Sequence, residues 1–230
     1  MIEPTNNRLN KHLALELGVS RREADNLIEK GQVTINDTPA TLGARFNEGD
    51  SLKVNGKELS KDTAYQYILF NKPTGYVCSR RDQGDNPTIY TLLPAEYHAL
   101  KPVGRLDRDS SGLLLLSNDG DFAYQMTHPK FNKTKIYNVR LDRELEPLHQ
   151  QMISDHGVLL DDGASKLMLE RLSDDTRKSW IITMSEGRNR QIRRTFGALG
   201  YSVIKLHRTN FGNYSLGDIQ PGKFETTTIQ

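Results

Sequence analysis

The sequence predicts an α+β protein: a small N-terminal module of two helices and short strands, then a larger domain on a mixed, mostly antiparallel sheet. Three observations carry this expectation. Apolar residues make up 36% and charged residues 26% of the 230 positions, which describes a soluble globular chain with room for one small and one medium domain. Leucines at helical spacing open the chain and give way to short strand-like runs. Further on, strand-like and helix-like segments mix without a regular βαβ rhythm, which argues against a parallel doubly wound sheet.

Each element has a local reason. Leu9, Leu13 and Leu17 recur one helical turn apart, and Gly18 stops that helix. Ser20-Arg21-Arg22-Glu23 reads as a capping box opening a second helix, whose apolar stripe is Ala24, Leu27 and Ile28 and whose end is Gly31. Val33 and Ile35 begin a short strand that turns near Asn36-Asp37, and Gly49-Asp50 precedes another from Ser51 to Val54. The polar stretch KELSKDT, residues 57–63, reads as a linker, so the expected domains are residues 1–60 and 61–230.

In the larger domain, Tyr67 to Asn71 is strand-like and Lys72-Pro73-Thr74-Gly75 is a turn. Leu113 to Leu116 is an apolar run of strand length, followed by the turn signal Asn118-Asp119-Gly120 and a short helix over Phe122 to Met126. Lys135 to Leu141 alternates, with Tyr137, Val139 and Leu141 on one face and Asn138 and Arg140 on the other. Trp180 to Met184 is a strand. Ile192, Phe196 and Leu199 mark a helix that stops at Gly200, and Tyr201 to Leu206 returns as a strand.

Composition excludes several classes. The single cysteine, Cys78, rules out an internal disulfide and a zinc site built on cysteines, and it reads as a small core or strand residue rather than a catalytic thiol. The start MIEPTNNRLNKH lacks the basic-then-apolar pattern of a signal peptide, and no run approaches the roughly 18 apolar residues of a membrane span. The expectation is a cytoplasmic protein with no membrane partner. A net charge of +2 says little; the location of the positive charge says more.

Arg21 and Arg22 sit in the first turn of a helix, where the dipole disfavours cations by roughly 0.3–1 kcal/mol each. With Arg8, Lys11 and Lys30 nearby, they suit a phosphate-binding patch or an ordinary solvated face equally well on charge alone. Gly104-Arg105-Leu106-Asp107-Arg108-Asp109-Ser110-Ser111-Gly112 packs charges and glycines against a buried-looking strand. Residue chemistry by itself makes Asp107 a turn cap or a structural partner of Arg105 or Arg108 before it makes it a nucleophile. In EGRNRQIRR, residues 186–194, Arg190 and Arg194 lie opposite the apolar helix face, while Arg193 lies at its border and can reach inward. The abundance of arginine over lysine there favours phosphate recognition, and Lys205, His207 and Arg208 add charge soon after. Tyr137 is either a core tyrosine or an aromatic platform for a base, and spacing does not decide.

The ordered motifs do decide. GRLDRDSSGLLLLSNDG, residues 104–120, resembles the central motif of the pseudouridine synthases; EGRNRQIRR resembles the late basic motif of that family's ribosomal RNA branch. LFNKPTGYV, residues 69–77, and KIY, residues 135–137, match its other motifs, and residues 8–56 resemble the S4 RNA-binding domain that this branch carries at its N-terminus. Ser110, Ser111 and Ile136 depart from the usual residues without touching the catalytic set.

The resemblance implies isomerisation of uridine to pseudouridine in ribosomal RNA, free or in a pre-ribosomal particle, by a monomeric enzyme without cofactor or metal. It implies Asp107 as the nucleophile or base, Tyr137 as the residue stacking on the target base, and Arg193 as the cation paired with the aspartate. Ile192 is implied as the apolar cover of the base, and Arg105 as the side chain filling the gap the flipped nucleotide leaves. Arg188, Arg190 and Arg194, with Arg8, Lys11, Arg21 and Arg22, are the expected RNA contacts. The arginine-rich EGRNRQIRR is closer to enzymes acting on the large-subunit 23S RNA than to the small-subunit 16S one. A non-catalytic assembly factor and a hydrolase using Asp107 with Asp109 are the competing readings.

Overall fold

A computed structural model describes residues 7–59, 63–80 and 84–230. The first six residues, and residues 60–62 of the expected linker and domain boundary, lie outside that set. The described chain forms two compact units. One takes in the residues up to Gln66 with Ala99–Lys101 and Asn118–Gly120; the other takes in Tyr67–His98, Pro102–Ser117 and Asp121–Gln230.

In the first unit, the short strand β1 (Asn7–Arg8) leads into helices α1 (Leu9–Glu16) and α2 (Arg21–Glu29). The expected capping box forms: the Ser20 hydroxyl accepts from Glu23 N at 3.2 Å, and Glu23 Oε2 accepts from Ser20 N at 2.7 Å. Strands β2 (Val33–Ile35), β3 (Thr38–Pro39), β5 (Leu52–Val54) and β6 (Lys57–Glu58) make a sheet in the order β3-β2-β5-β6, and β4 (Arg45–Phe46) pairs with β1. Asn36 and Asp37 both take positive φ in the tight turn between β2 and β3, as the sequence suggested. Leu9, Leu13, Ala24, Ile28, Val33, Phe46 and Leu52 form the core. The buried stripe turns Arg21 and Arg22 outward, where both are exposed.

The second unit is built on a large sheet in the order β13-β14-β10-β15-β9-β7-β17. Its strands are β7 (Tyr67–Lys72), β8 (Lys101–Val103, beside β9), β9 (Ser111–Ser117), β10 (Lys135–Leu141), β13 (Met168–Arg171), β14 (Ser179–Met184), β15 (Val203–Phe211), β16 (Tyr214–Ser215, beside β15) and β17 (Phe224–Thr227). The pairs β13/β14, β14/β10, β10/β15, β9/β7 and β7/β17 are antiparallel, while β15 and β9 run parallel. Helix α3 (Gly120–Thr127) contributes Phe122 and Met126 to a core with Leu113, Leu115 and Phe211. Between β10 and β14 the chain forms α4 (Pro147–Gln151) and the hairpin of β11 (Val158–Leu160) and β12 (Gly163–Ser165). Helix α5 (Gln191–Ala198) buries Ile192, Thr195 and Phe196. Among the described residues, no helix is long and apolar enough to cross a membrane.

Asn118-Asp119-Gly120 hands β9 directly to α3, the short helix expected after that turn signal. One local expectation is corrected. The late strand spans Val203–Phe211 rather than Tyr201 to Leu206, because β10 pairs along its whole length, out to Lys135 against Phe211.

Candidate active site

The parallel junction of β15 with β9 places a loop beside a cavity. Residues 104–110 leave β8, turn at Asp107 with Ser110 N donating to Asp107 O at 3.0 Å, and enter β9. The cavity, about 280 Å³, is lined from this loop by Arg105, Leu106 and Asp107 and from β10 by Lys135 and Tyr137. Met184, Leu206 and Phe211 give it an apolar wall, and the start of α5 closes it with Arg190 and Ile192. It thus brings together Arg105, Asp107, Tyr137, Arg188, Arg190 and Ile192 of the residues expected from the sequence. Arg8, Lys11, Arg21 and Arg22 belong to the other unit.

The loop is fixed from below by a residue that sequence reasoning missed. Lys72, at the end of β7, is fully buried. Its Nζ donates to Ser110 O at 2.8 Å, Pro73 O at 3.0 Å, Asp107 O at 3.1 Å and Arg108 O at 3.5 Å. Burial lowers its pKa, and Cys78, Asp107 and Asp109 partly oppose that shift. Gly75 N adds a bond to Arg108 O at 2.8 Å, and the Cys78 thiol donates to Leu106 O at 3.4 Å. Lys72→Met leaves several carbonyls without their cation. It is expected to cost about 3 kcal/mol in urea unfolding, the usual scale for breaking a buried charged contact. A Lys72→Met protein as stable as wild type would contradict this account of the loop.

The partner of Asp107 is not the expected one. Arg190 Nη1 donates to Asp107 Oδ2 at 3.2 Å. Arg193 turns inward as its helix position suggested, but its hydrogen bonds go elsewhere: Nη1 donates to Val203 O at 2.6 Å, and Nη2 to Asp109 O at 2.9 Å and Ser110 Oγ at 3.5 Å. The pairing expected of Arg193 is therefore corrected to Arg190, and the reason is local. Arg190 is the N-cap of α5 in the left-handed conformation, φ 46°, so it lies outside the helical wheel that put it on the outer face. Arg193 buttresses the turn that carries Asp107.

Arg188 and Arg194 are also reassigned. Arg188 Nη1 donates to Asp162 Oδ1 at 2.8 Å and Nη2 to Ala164 O at 2.8 Å, while Arg194 pairs with Asp161 and Asp162. Both clamp the β11–β12 hairpin rather than standing free for phosphate. Neighbouring carboxylates were the determinant, and they lie about thirty positions away in sequence.

Tyr137 is 8% exposed and pairs in register with Ile182 on β14 and Arg208 on β15. Lys135, two residues before it, donates to Lys133 O, Ser185 O and Glu186 O, and burial, with the charge of Arg208, lowers its pKa to about 8. Because the folded value lies below the ordinary 10.5, the charge costs stability in full below pH 8, and the cost fades as pH rises toward 10.5. Wild type is expected to gain stability over Lys135→Met across that window. A difference in melting temperature that is flat or falls with pH would contradict the assignment.

Comparison with known proteins agrees with this geometry. The RNA pseudouridylate synthase profile matches residues 66–198, and the S4 domain profile matches residues 8–52. The chain is 37% identical to a ribosomal small subunit pseudouridine synthase A of Pasteurella multocida, covering 97% of each chain. It is 34% identical to a ribosomal large subunit pseudouridine synthase B of Bacillus subtilis, covering 94% of this chain and 89% of that one. A crystal structure of a pseudouridylate synthase superposes with a TM-score of 0.68 at 31% identity over 96% of both chains.

Proposed function

The chain belongs to the RNA pseudouridylate synthase family and carries an S4 domain ahead of its catalytic region, and from that premise we propose that it isomerises one uridine of large-subunit ribosomal RNA with Asp107 as the nucleophile. The observation that carries the proposal is the pairing of Asp107 with Arg190 on a cavity whose apolar side is formed by Tyr137, Ile192, Leu206 and Phe211. A carboxylate beside a cation, facing an apolar and aromatic wall, suits a flipped, planar base.

In the reaction, Asp107 attacks the ribose C1′ as the N1–C1′ bond breaks, and uracil leaves with the electron pair. The base rotates against Tyr137, C5 bonds to C1′, and Asp107 departs. The proton lost from C5 is balanced by one gained at N1, so the product is an isomer. Abstraction of the C2′ proton by the same carboxylate is the alternative entry to the same detached base. Arg190 aims the carboxylate; Ile192 covers the base; Arg105, exposed at the cavity rim, takes the place of the flipped nucleotide. The protein works as a monomer in the cytoplasm.

The target is tested by incubating the protein with unmodified 23S and 16S RNA and mapping pseudouridine by carbodiimide-dependent reverse-transcription stops. One new site in 23S RNA is expected. A site in 16S RNA instead moves the target to the small subunit, and none in either contradicts the proposal. The S4 unit contributes affinity through Arg8, Lys11, Arg21 and Arg22. Arg21→Ala with Arg22→Ala is expected to flatten the slope of log K against log salt by about 1.5; an unchanged slope would remove both from the interface.

A further inference from the structure

Arg208 lies at the inner wall of the cavity with no role in the scheme above. It is 2% exposed, Nε donates to Leu113 O at 2.8 Å, and the guanidinium carbon sits 4.8 Å from the centre of the Phe211 ring. Nη2 is buried with no hydrogen-bond partner, and no carboxylate pairs with Arg208 among the described residues. An unsatisfied buried donor on a cation is costly, and Leu206, one position up the same face of β15, shows that an apolar residue fits this wall. Arg208 is also held in place: it pairs with Tyr137 on β10 and with Gly112 on β9.

A donor left unpaired at the wall of a pocket for a planar base is a donor reserved for that base. We propose that Arg208 is a specificity and positioning residue whose guanidinium donates to a carbonyl oxygen of the target uracil. A phosphate fits less well, since it would bring its charge and hydration against the Phe211 and Tyr137 rings. Uracil brings two neutral carbonyls, and when the N1–C1′ bond breaks the electron pair spreads from N1 onto them. The bond to a guanidinium therefore strengthens as the base detaches, which places its effect on the chemical step. The inference rests on the synthase reading of this cavity.

The test uses the full chain and a short RNA holding the mapped site, with uridine, 2-thiouridine or 4-thiouridine at the target. Sulfur is a poor acceptor, so a bond from Arg208 to one carbonyl makes the thio substitution and the loss of Arg208 redundant. Arg208→Met is expected to lower kcat on the order of 100-fold with little change in KM, and Arg208→Lys to recover part of it. One thio substitution is expected to slow wild type and not Arg208→Met. Multiplicative losses at both positions, or a rise in KM at unchanged kcat, would overturn the assignment. Should Arg208→Met not fold, the same comparison is made with Arg208→Lys, which keeps the charge but moves the donor. Wild type inactive on the all-uridine RNA would instead defeat the synthase reading itself.

Discussion

Asp107→Asn is expected to abolish catalysis, with the single-turnover rate on ribosomal RNA falling on the order of 10⁴-fold or more, the scale seen when a nucleophile is removed. The amide has the shape of the carboxylate but neither its charge nor its nucleophilicity. The geometry survives the change, because the backbone at residue 107 is held by Lys72 and the Ser110 turn rather than by the side chain. Stability is expected to change little. The Arg190–Asp107 pair has side chains 44% and 33% exposed, and pairs this open contribute only about 0–1 kcal/mol. RNA affinity, measured by filter binding, is expected to hold. Asp109→Asn serves as the control: retained activity excludes a hydrolytic carboxylate pair, while equal loss in both variants would revive it.

Gly112→Ala is expected to be the most damaging single substitution for the fold. Gly112 has φ 103°, and a Cβ there would lie 2.2 Å from Arg208 O and 2.6 Å from Arg208 N. Those are backbone atoms of the adjoining strand, so no side chain can move aside. The methyl group must either part β9 from β15 or twist β9 out of a conformation that L residues rarely adopt. A loss above roughly 4 kcal/mol, the range reserved for broken cores and strained backbones, is expected in urea titration, or else failure to accumulate as soluble protein. Since the same junction carries Asp107 on one side and Arg208 on the other, any folded fraction should also be slow. A Gly112→Ala protein of wild-type stability would mean that the parallel junction is misplaced.

Much of the architecture was legible because it follows local rules. The capping box at Ser20 and Glu23, the positive-φ turn at Asn36-Asp37 and the alternation of Tyr137, Val139 and Leu141 are each decided by neighbours a few positions away. What the sequence hid depends on distant partners. Lys72 stands in a Lys-Pro-Thr-Gly turn signal that says nothing of its burial, which depends on the carbonyls of Pro73, Asp107, Arg108 and Ser110 converging on it. The β11–β12 hairpin escaped because it is short and Leu159 faces solvent, with 80% exposure. Arg190 was assigned outward by helical geometry that does not apply to a left-handed cap. Arg208 was within reach: continuing the alternation of β15 past Leu206 puts it on the inward face. Asp107 is the instructive case, since its own chemistry favoured a structural role and only the ordered motifs around it pointed to catalysis.

If this cavity rearranges a uridine, forming the C5–C1′ bond must expel the hydrogen at C5. Purified protein mixed with ribosomal RNA labelled with tritium at uridine C5 measures that event directly. Release is expected to rise to a plateau of about one tritium per RNA, the yield of an isomerase that modifies a single site. Binding of the RNA with no tritium released would show that the cavity does not isomerise uridine.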